Sequence, residues 1–182
     1  MTRLAPPEPA AMTPEQRRVY DAIASGPRGQ VRGPLAVWLH RPSLAGPAQT
    51  LGQYCRYGSS LPPRLSELAV LVTAKVWRAE FEWWAHKQHA LKAGLASAAI
   101  DAIRDGEDPV FESAEESVVY RFSTILNRER AVPDALYREA VDLLGEGGVV
   151  DLTGILGYYA LISMTLKVFE IEPPAEARRE LM

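Results

Sequence analysis

Apolar positions recur with a helical period along nearly the whole chain. In "RLSELAVLVTAKVW", Leu65, Leu68, Ala69, Val72 and Val76 form one stripe at three- and four-residue spacing, the pattern of a helix with one buried face. "RAEFEWWAHKQHALKAG" follows almost directly and closes on Gly94, a residue suited to the left-handed turn that ends a helix. So short a connection makes the two a tight hairpin or a kinked pair. Upstream, "TPEQRRVYDAIASGP" carries a capping box, with Thr13 as N-cap, Gln16 three positions on and Pro14 at the first helical position; Gly26 and Pro27 end it. "GPLAVWLHRPSLAG" predicts a short helix broken near Pro42, followed by another through "AQTLGQYCRYGSS". Downstream, Ser97 is expected to cap "AAIDAIRDG", a longer helix runs through "AEESVVYRFSTILNRE", and Pro133 opens "PDALYREAVDLLG".

The last element, from about Val149 to Phe169, is apolar nearly all round, which predicts a helix at the centre of a bundle or in a subunit interface. Asp151, Gly154, Gly157 and Lys167 interrupt it too often for a membrane span. No segment alternates as a strand must, and no repeat of fixed period stands out, so the expected architecture is all-α. Residues 1–12, rich in Pro and Ala and without a periodic face, read as a loosely held arm able to lie against a neighbour. Residues 13–182 read as a single helical domain.

Composition narrows the function classes. The chain has 182 residues, 47% hydrophobic and 24% charged, with a formal net charge of -3. Those values describe an ordinary globular protein with enough apolar surface for a core. Acids and bases are interspersed, so no basic stripe calls for nucleic acid or an anionic membrane, and the expected partner is a small molecule or another protein. Cys55 is the only cysteine, which excludes an intrachain disulfide and a cysteine metal cluster and fits a reducing compartment. The N-terminus lacks the apolar stretch of a secretory signal, so a cytoplasmic location is expected.

The candidate chemistry sits in "EFEWWAHKQH", residues 80–89, which hold two of the three histidines. At 100° per residue, Glu82, His86 and His89 fall within an arc of about 60° on one helix face and can share a pocket. Trp83 and Trp84 point to either side, where they could screen that pocket from water. A plainer account also exists, because a Glu four residues before a His stabilises a surface helix by a few tenths of a kcal/mol without any function. The oxygen and two nitrogens are ligand types of zinc or iron sites, but the partners of an H-E-x-x-H pattern are missing, and no metal is expected.

From Gly33 onward the chain resembles the carboxymuconolactone decarboxylase and AhpD-like family. The likeness lies in "GPLAVWLHRPSLA", "LPPRLSELAVLVTAKVW", "AEFEWWAHKQHALKAGL" and "GYYALISMTLKVFEI". Members with alkylhydroperoxidase activity have a Glu, a C-x-x-C beginning twelve positions later, and a His four beyond the second Cys. With the register fixed by "AGL" ending at Leu95, those places here hold Glu67, Ala79, Glu82 and His86. The Glu and the His match, and both cysteines are missing. Peroxide reduction by this family needs one thiolate to attack oxygen and a second thiol to resolve the product, so thiol-based redox activity is not expected. Cys55 lies outside the motif, and a lone cysteine is commonly a small core residue.

The resemblance implies an AhpD-like helical bundle, no cofactor, and a homo-oligomer, commonly a trimer or a hexamer. Its other founding activity, decarboxylation of carboxymuconolactone, needs only a proton donor, an oxyanion stabiliser and a poorly solvated place for the leaving carboxylate. On that reading the catalytic group is His86 with Glu82 and Glu67, since a carboxylate beside an imidazole raises its proton affinity. The substrate-binding candidates are His40, Arg64, Trp83 and Tyr158, with Arg41 as a further anion holder and Tyr159 as a further hydroxyl. Bundle packing, a core histidine bonded to a carbonyl and solvated arginines at helix ends explain the same residues without function. Three functions remain open: a cofactor-independent lyase or isomerase, a non-catalytic binder or scaffold, and a peroxidase-related redox protein.

Overall fold

Every residue from Leu65 to Ala74 is buried. The computed structural model, which describes residues 2–181, places the helix that carries them at the centre of an all-helical bundle. In chain order the helices are α1 (Pro14–Ser25), α2 (Pro34–Trp38), α3 (Pro42–Tyr57), α4 (Pro63–Trp77), α5 (Glu80–Lys92), α6 (Ser97–Asp105), α7 (Ala114–Glu129) and α8 (Asp134–Phe169). The central helix, α4, packs against α5, α7 and α8 and also meets α6; α3 lies across α8, with α1 and α2 against α3.

Local chemistry fixes most of the ends. Thr13 and Gln16 form the expected reciprocal capping box on α1, and proline opens α1, α2, α3 and α4. Gly94, at φ 89°, closes α5, with the Leu95 amide donating to the Ala90 carbonyl at 3.0 Å and the Gly94 amide to that of Leu91 at 3.1 Å. Between α4 and α5 the left-handed turn falls on Arg78, at φ 49°, so the hairpin reverses within two residues. Ser97 does not cap α6 as expected: Ala96 stands at the N-cap with no side-chain bond, and Ser97 is the first helical residue.

Two expectations about burial exchange places. The predicted single stripe of α4 is too narrow, because Val70, Leu71 and Thr73 on its other faces are enclosed by the helices around it. The helix read as apolar all round, α8, instead leaves Val150, Leu161, Met164 and Val168 exposed along one side. It also begins earlier than expected, merging with the "DALYREAVDLL" segment across a break at Gly145, where φ is 74°. By length and composition α8 could cross a membrane, yet most of its apolar window is buried inside the bundle, as in the core helix of a soluble protein.

The N-terminal arm is not loose. The Arg3 amide donates to the Phe169 carbonyl at 2.9 Å, its guanidinium pairs with Glu170 at 2.6 Å, and the Arg17 guanidinium donates to the Pro9 carbonyl. At the other end, the Glu180 and Leu181 amides donate to the Glu80 carboxylate at 3.1 and 2.6 Å, and Leu181 is buried. Arm and tail are both tied to their own chain.

Candidate active site

Glu82 and His86 are one turn apart on α5, and α4 runs beside them carrying Glu67. His86 Nδ1 lies 2.6 Å from Glu67 Oε2, and His86 Nε2 lies 3.1 Å from Glu82 Oε2. Nδ1 donates to Glu67 and Nε2 stands at ion-pair distance from Glu82, and a ring flanked by two carboxylates is favoured in its protonated form. All three side chains are buried. Burial works against the charge on His86, but Glu67 and Glu82 outweigh it, and its pKa is pushed up to about 9. An ion triad out of water is stable only while every partner stays, since removing one partner of such a group costs about 3–5 kcal/mol.

This triad borders a cavity of about 350 Å³, lined by Glu82, His86 and His89 from α5, Arg56 from α3, Tyr158 and Tyr159 from α8, and the loop that follows α1. Glu67 stands behind His86 and does not line the cavity, so the chain of groups runs from the interior outward: Glu67, His86, Glu82, cavity. The Tyr159 ring meets His86 edge-on, with centroids 5.0 Å apart and planes at 85°, and Tyr158 stacks at right angles on Tyr159. Burial raises the Tyr158 pKa to about 12 and that of Tyr159 well above its usual value, so both phenols remain neutral.

The opposite wall is cationic. Arg28 and Arg32 come from the loop "PRGQVRGP", and Arg56 projects from α3. Among the described residues no carboxylate lies within ion-pair distance of these three guanidinium groups. Among the described residues, Arg28 Nε is buried with no hydrogen-bond partner, and its Nη2 reaches only the Tyr158 hydroxyl, at 3.5 Å. Arg32 lies over the Trp84 ring at 5.5 Å, and Arg56 donates to His89 Nε2 at 2.8 Å. Gly52 of α3 allows this packing, for a Cβ there would sit 2.1 Å from the Tyr158 hydroxyl and 2.7 Å from Arg28 Nη2. Guanidinium groups around a hollow with no carboxylate to pair with form a receptor for an anion, carboxylates above all.

Of the residues singled out in the sequence, Glu67, Glu82, His86, His89, Tyr158 and Tyr159 come together here. The others lie elsewhere. His40 is exposed and donates from Nε2 to the Ala5 carbonyl at 2.8 Å, pinning the N-terminal arm. Arg64 pairs with Glu116 at 3.3 Å beside a separate hollow of about 60 Å³. Arg41 is exposed at the N-cap of α3. Trp83 faces the C-terminal tail and donates to Glu180 at 3.3 Å, so the screening expected of the tryptophans falls instead to Tyr158, Tyr159 and Phe81. Cys55 is buried outside the cavity lining, with burial pushing its thiol pKa up. The sequence reading missed the cationic wall, because no local motif joins Arg28 and Arg32 of the loop to Arg56 of α3.

No family model and no curated protein matches the sequence. Solved structures do match. An uncharacterized peroxidase-related protein from Silicibacter sp. TM1040 is 13% identical over 100% of this chain and 96% of its own, with a TM-score of 0.77. An alkylhydroperoxidase AhpD core, an uncharacterized peroxidase-related protein from Ralstonia eutropha JMP134, is 14% identical over 96% of this chain and 93% of its own, also at 0.77. A cysteine-to-alanine variant of the debrominase Bmp8 in complex with 2,3,4-tribromopyrrole is 12% identical, with the same coverage of both chains and a TM-score of 0.76. The chain has the AhpD-like, carboxymuconolactone decarboxylase type of all-α fold.

Proposed function

We propose that this chain is a cofactor-independent acid–base enzyme that decarboxylates or isomerises a small carboxylated or lactone-like molecule. The observation that carries the reading is the buried Glu67, His86, Glu82 series ending in a cavity walled by Arg28, Arg32 and Arg56. The arginines hold a substrate carboxylate. As the bond to a leaving carboxyl breaks, carbon dioxide departs and its electron pair flows through the conjugated frame into a carbonyl. Arg28 and the Tyr158 hydroxyl stabilise the oxyanion that forms. The enolate then takes one proton on carbon from the His86–Glu82 pair, which solvent recharges while Glu67 keeps the ring in place. These steps conserve electrons and need no electron acceptor.

A volume of about 350 Å³ suits a small ring with one or two substituents. The bound tribromopyrrole of the Bmp8 variant is a compact ring of this kind, which supports the size if not the chemistry. Thiol chemistry like that suggested by the peroxidase-related neighbours finds Ala79 and Glu82 where its two sulfurs would stand. The test is turnover of a panel of lactones, keto acids and dicarboxylates by the wild-type protein and by His86→Gln. Turnover that is lost in the variant supports the enzyme. Binding without turnover by the wild type identifies a small-molecule binder, and peroxide consumption that disappears with Cys55→Ser identifies a redox protein.

A further inference from the structure

His89 plays no part in the series Glu67, His86, Glu82, yet it lines the same cavity, with its ring centroid 5.9 Å from that of His86. Its Nε2 lies 2.8 Å from Arg56 Nη2. A guanidinium has only hydrogens to offer, so Nε2 must present its lone pair and the ring hydrogen must sit on Nδ1. His89 is therefore the neutral imidazole of the site, one turn from a histidine held as the cation. The groups facing it agree. Arg56 approaches from α3, Glu67 from α4, and His86 and Lys92 from α5; burial and then Arg56 lower its proton affinity, with Glu67 acting against them. Two like groups whose environments push their proton affinities apart are the arrangement by which one site holds both an acid and a base.

The contact with Arg56 is also replaceable. Arg56 is half-buried and, among the described residues, has no carboxylate within ion-pair distance. A neutral nitrogen offers a guanidinium one bond, whereas a carboxylate offers two charge-assisted ones. An anion entering the cavity takes the stronger position.

We propose that His89 is a second proton-transferring group of this cavity, a base masked by Arg56 and released when an anionic ligand takes over that guanidinium. The proposal rests on the reading of the cavity as a site for a carboxylated substrate, and it favours isomerisation within that reading. With Nε2 free, a C–H bond of the substrate breaks, the proton joins Nε2, and the electron pair stays on the substrate as an enolate. The His86–Glu82 pair returns one proton at another carbon. His89 then gives its proton to solvent, from which the His86 side is recharged. The mask keeps the base from acting on ligands that cannot engage Arg56.

The test follows the His89 ring by nitrogen NMR across pH, with succinate as the probe anion, in the wild type, Arg56→Gln and Arg56→Lys. The free wild type should show the Nδ1–H form and titrate below ordinary histidine. Saturating succinate should shift that midpoint upward, Arg56→Gln should shift it upward without succinate, and Arg56→Lys should keep it low. A His89 midpoint unmoved by succinate, or unmoved in Arg56→Gln, overturns the proposal. The readout is separate from turnover: a normal His89 response in a protein whose turnover ignores His86 would sink the enzymatic reading and leave the mask standing.

Discussion

Raising the pH through the alkaline range should dismantle the buried triad, and the loss can be worked out from His86. Its pKa is about 9 in the folded protein and 6.5 in an unconstrained ring. At about 1.4 kcal/mol per pH unit, that gap amounts to roughly 3 kcal/mol of folding stability. Because the folded value is the higher one, the contribution is complete below pH 6.5 and drains away as the pH rises through 9. His89, whose affinity is lowered, acts in the opposite sense and costs stability only on the acid side. Urea denaturation, followed by tryptophan fluorescence from pH 6.5 to 9.5, should show the free energy of unfolding falling by roughly 3 kcal/mol. In His86→Gln the baseline stability is lower and the slope over this range disappears. A wild-type profile that is flat from pH 6.5 to 9.5 refutes the assignment of a proton shared by His86, Glu67 and Glu82.

Two further outcomes follow from packing. Gly52→Ala places a methyl against the Tyr158 hydroxyl and the Arg28 guanidinium, so it should cost about 1–3 kcal/mol in urea denaturation and weaken succinate binding at the cavity. Unchanged stability would mean that Tyr158 does not lie on the α3 backbone. The exposed apolar residues Val150, Leu161, Met164 and Val168 follow one another along α8, where Gly154 and Gly157 leave open space. We propose that this apolar side of α8 meets another copy of the chain. Leu161→Glu should therefore lower the mass measured by light scattering, and a wild type that is already monomeric would remove this contact.

The helices were legible because their signals are local. Thr13 and Gln16, the prolines that open α1 to α4, and Gly94 each act within one turn of their own position. Half of the site was legible for the same reason, since Glu82 and His86 at a spacing of four must share a helix face. Glu67 came from the family spacing, as nothing in periodicity joins it to His86 across a hairpin. The cationic wall was not legible, because Arg28, Arg32 and Arg56 meet only after α3 folds back over α8 and the loop after α1 closes over both. His40, Arg64 and Trp83 had equally suitable chemistry, and long-range partners took them: Ala5, Glu116 and Glu180. A sequence shows which groups can bond, while the tertiary fold decides which remain free.

The most direct test is the protonation of His86 itself. Nitrogen NMR of the folded protein at pH 7 should show hydrogens on both Nδ1 and Nε2, persisting until the ring titrates near 9. A single protonated nitrogen at pH 7 would mean that the ring is neutral between its two carboxylates, and the acid on which the proposed chemistry depends would be absent.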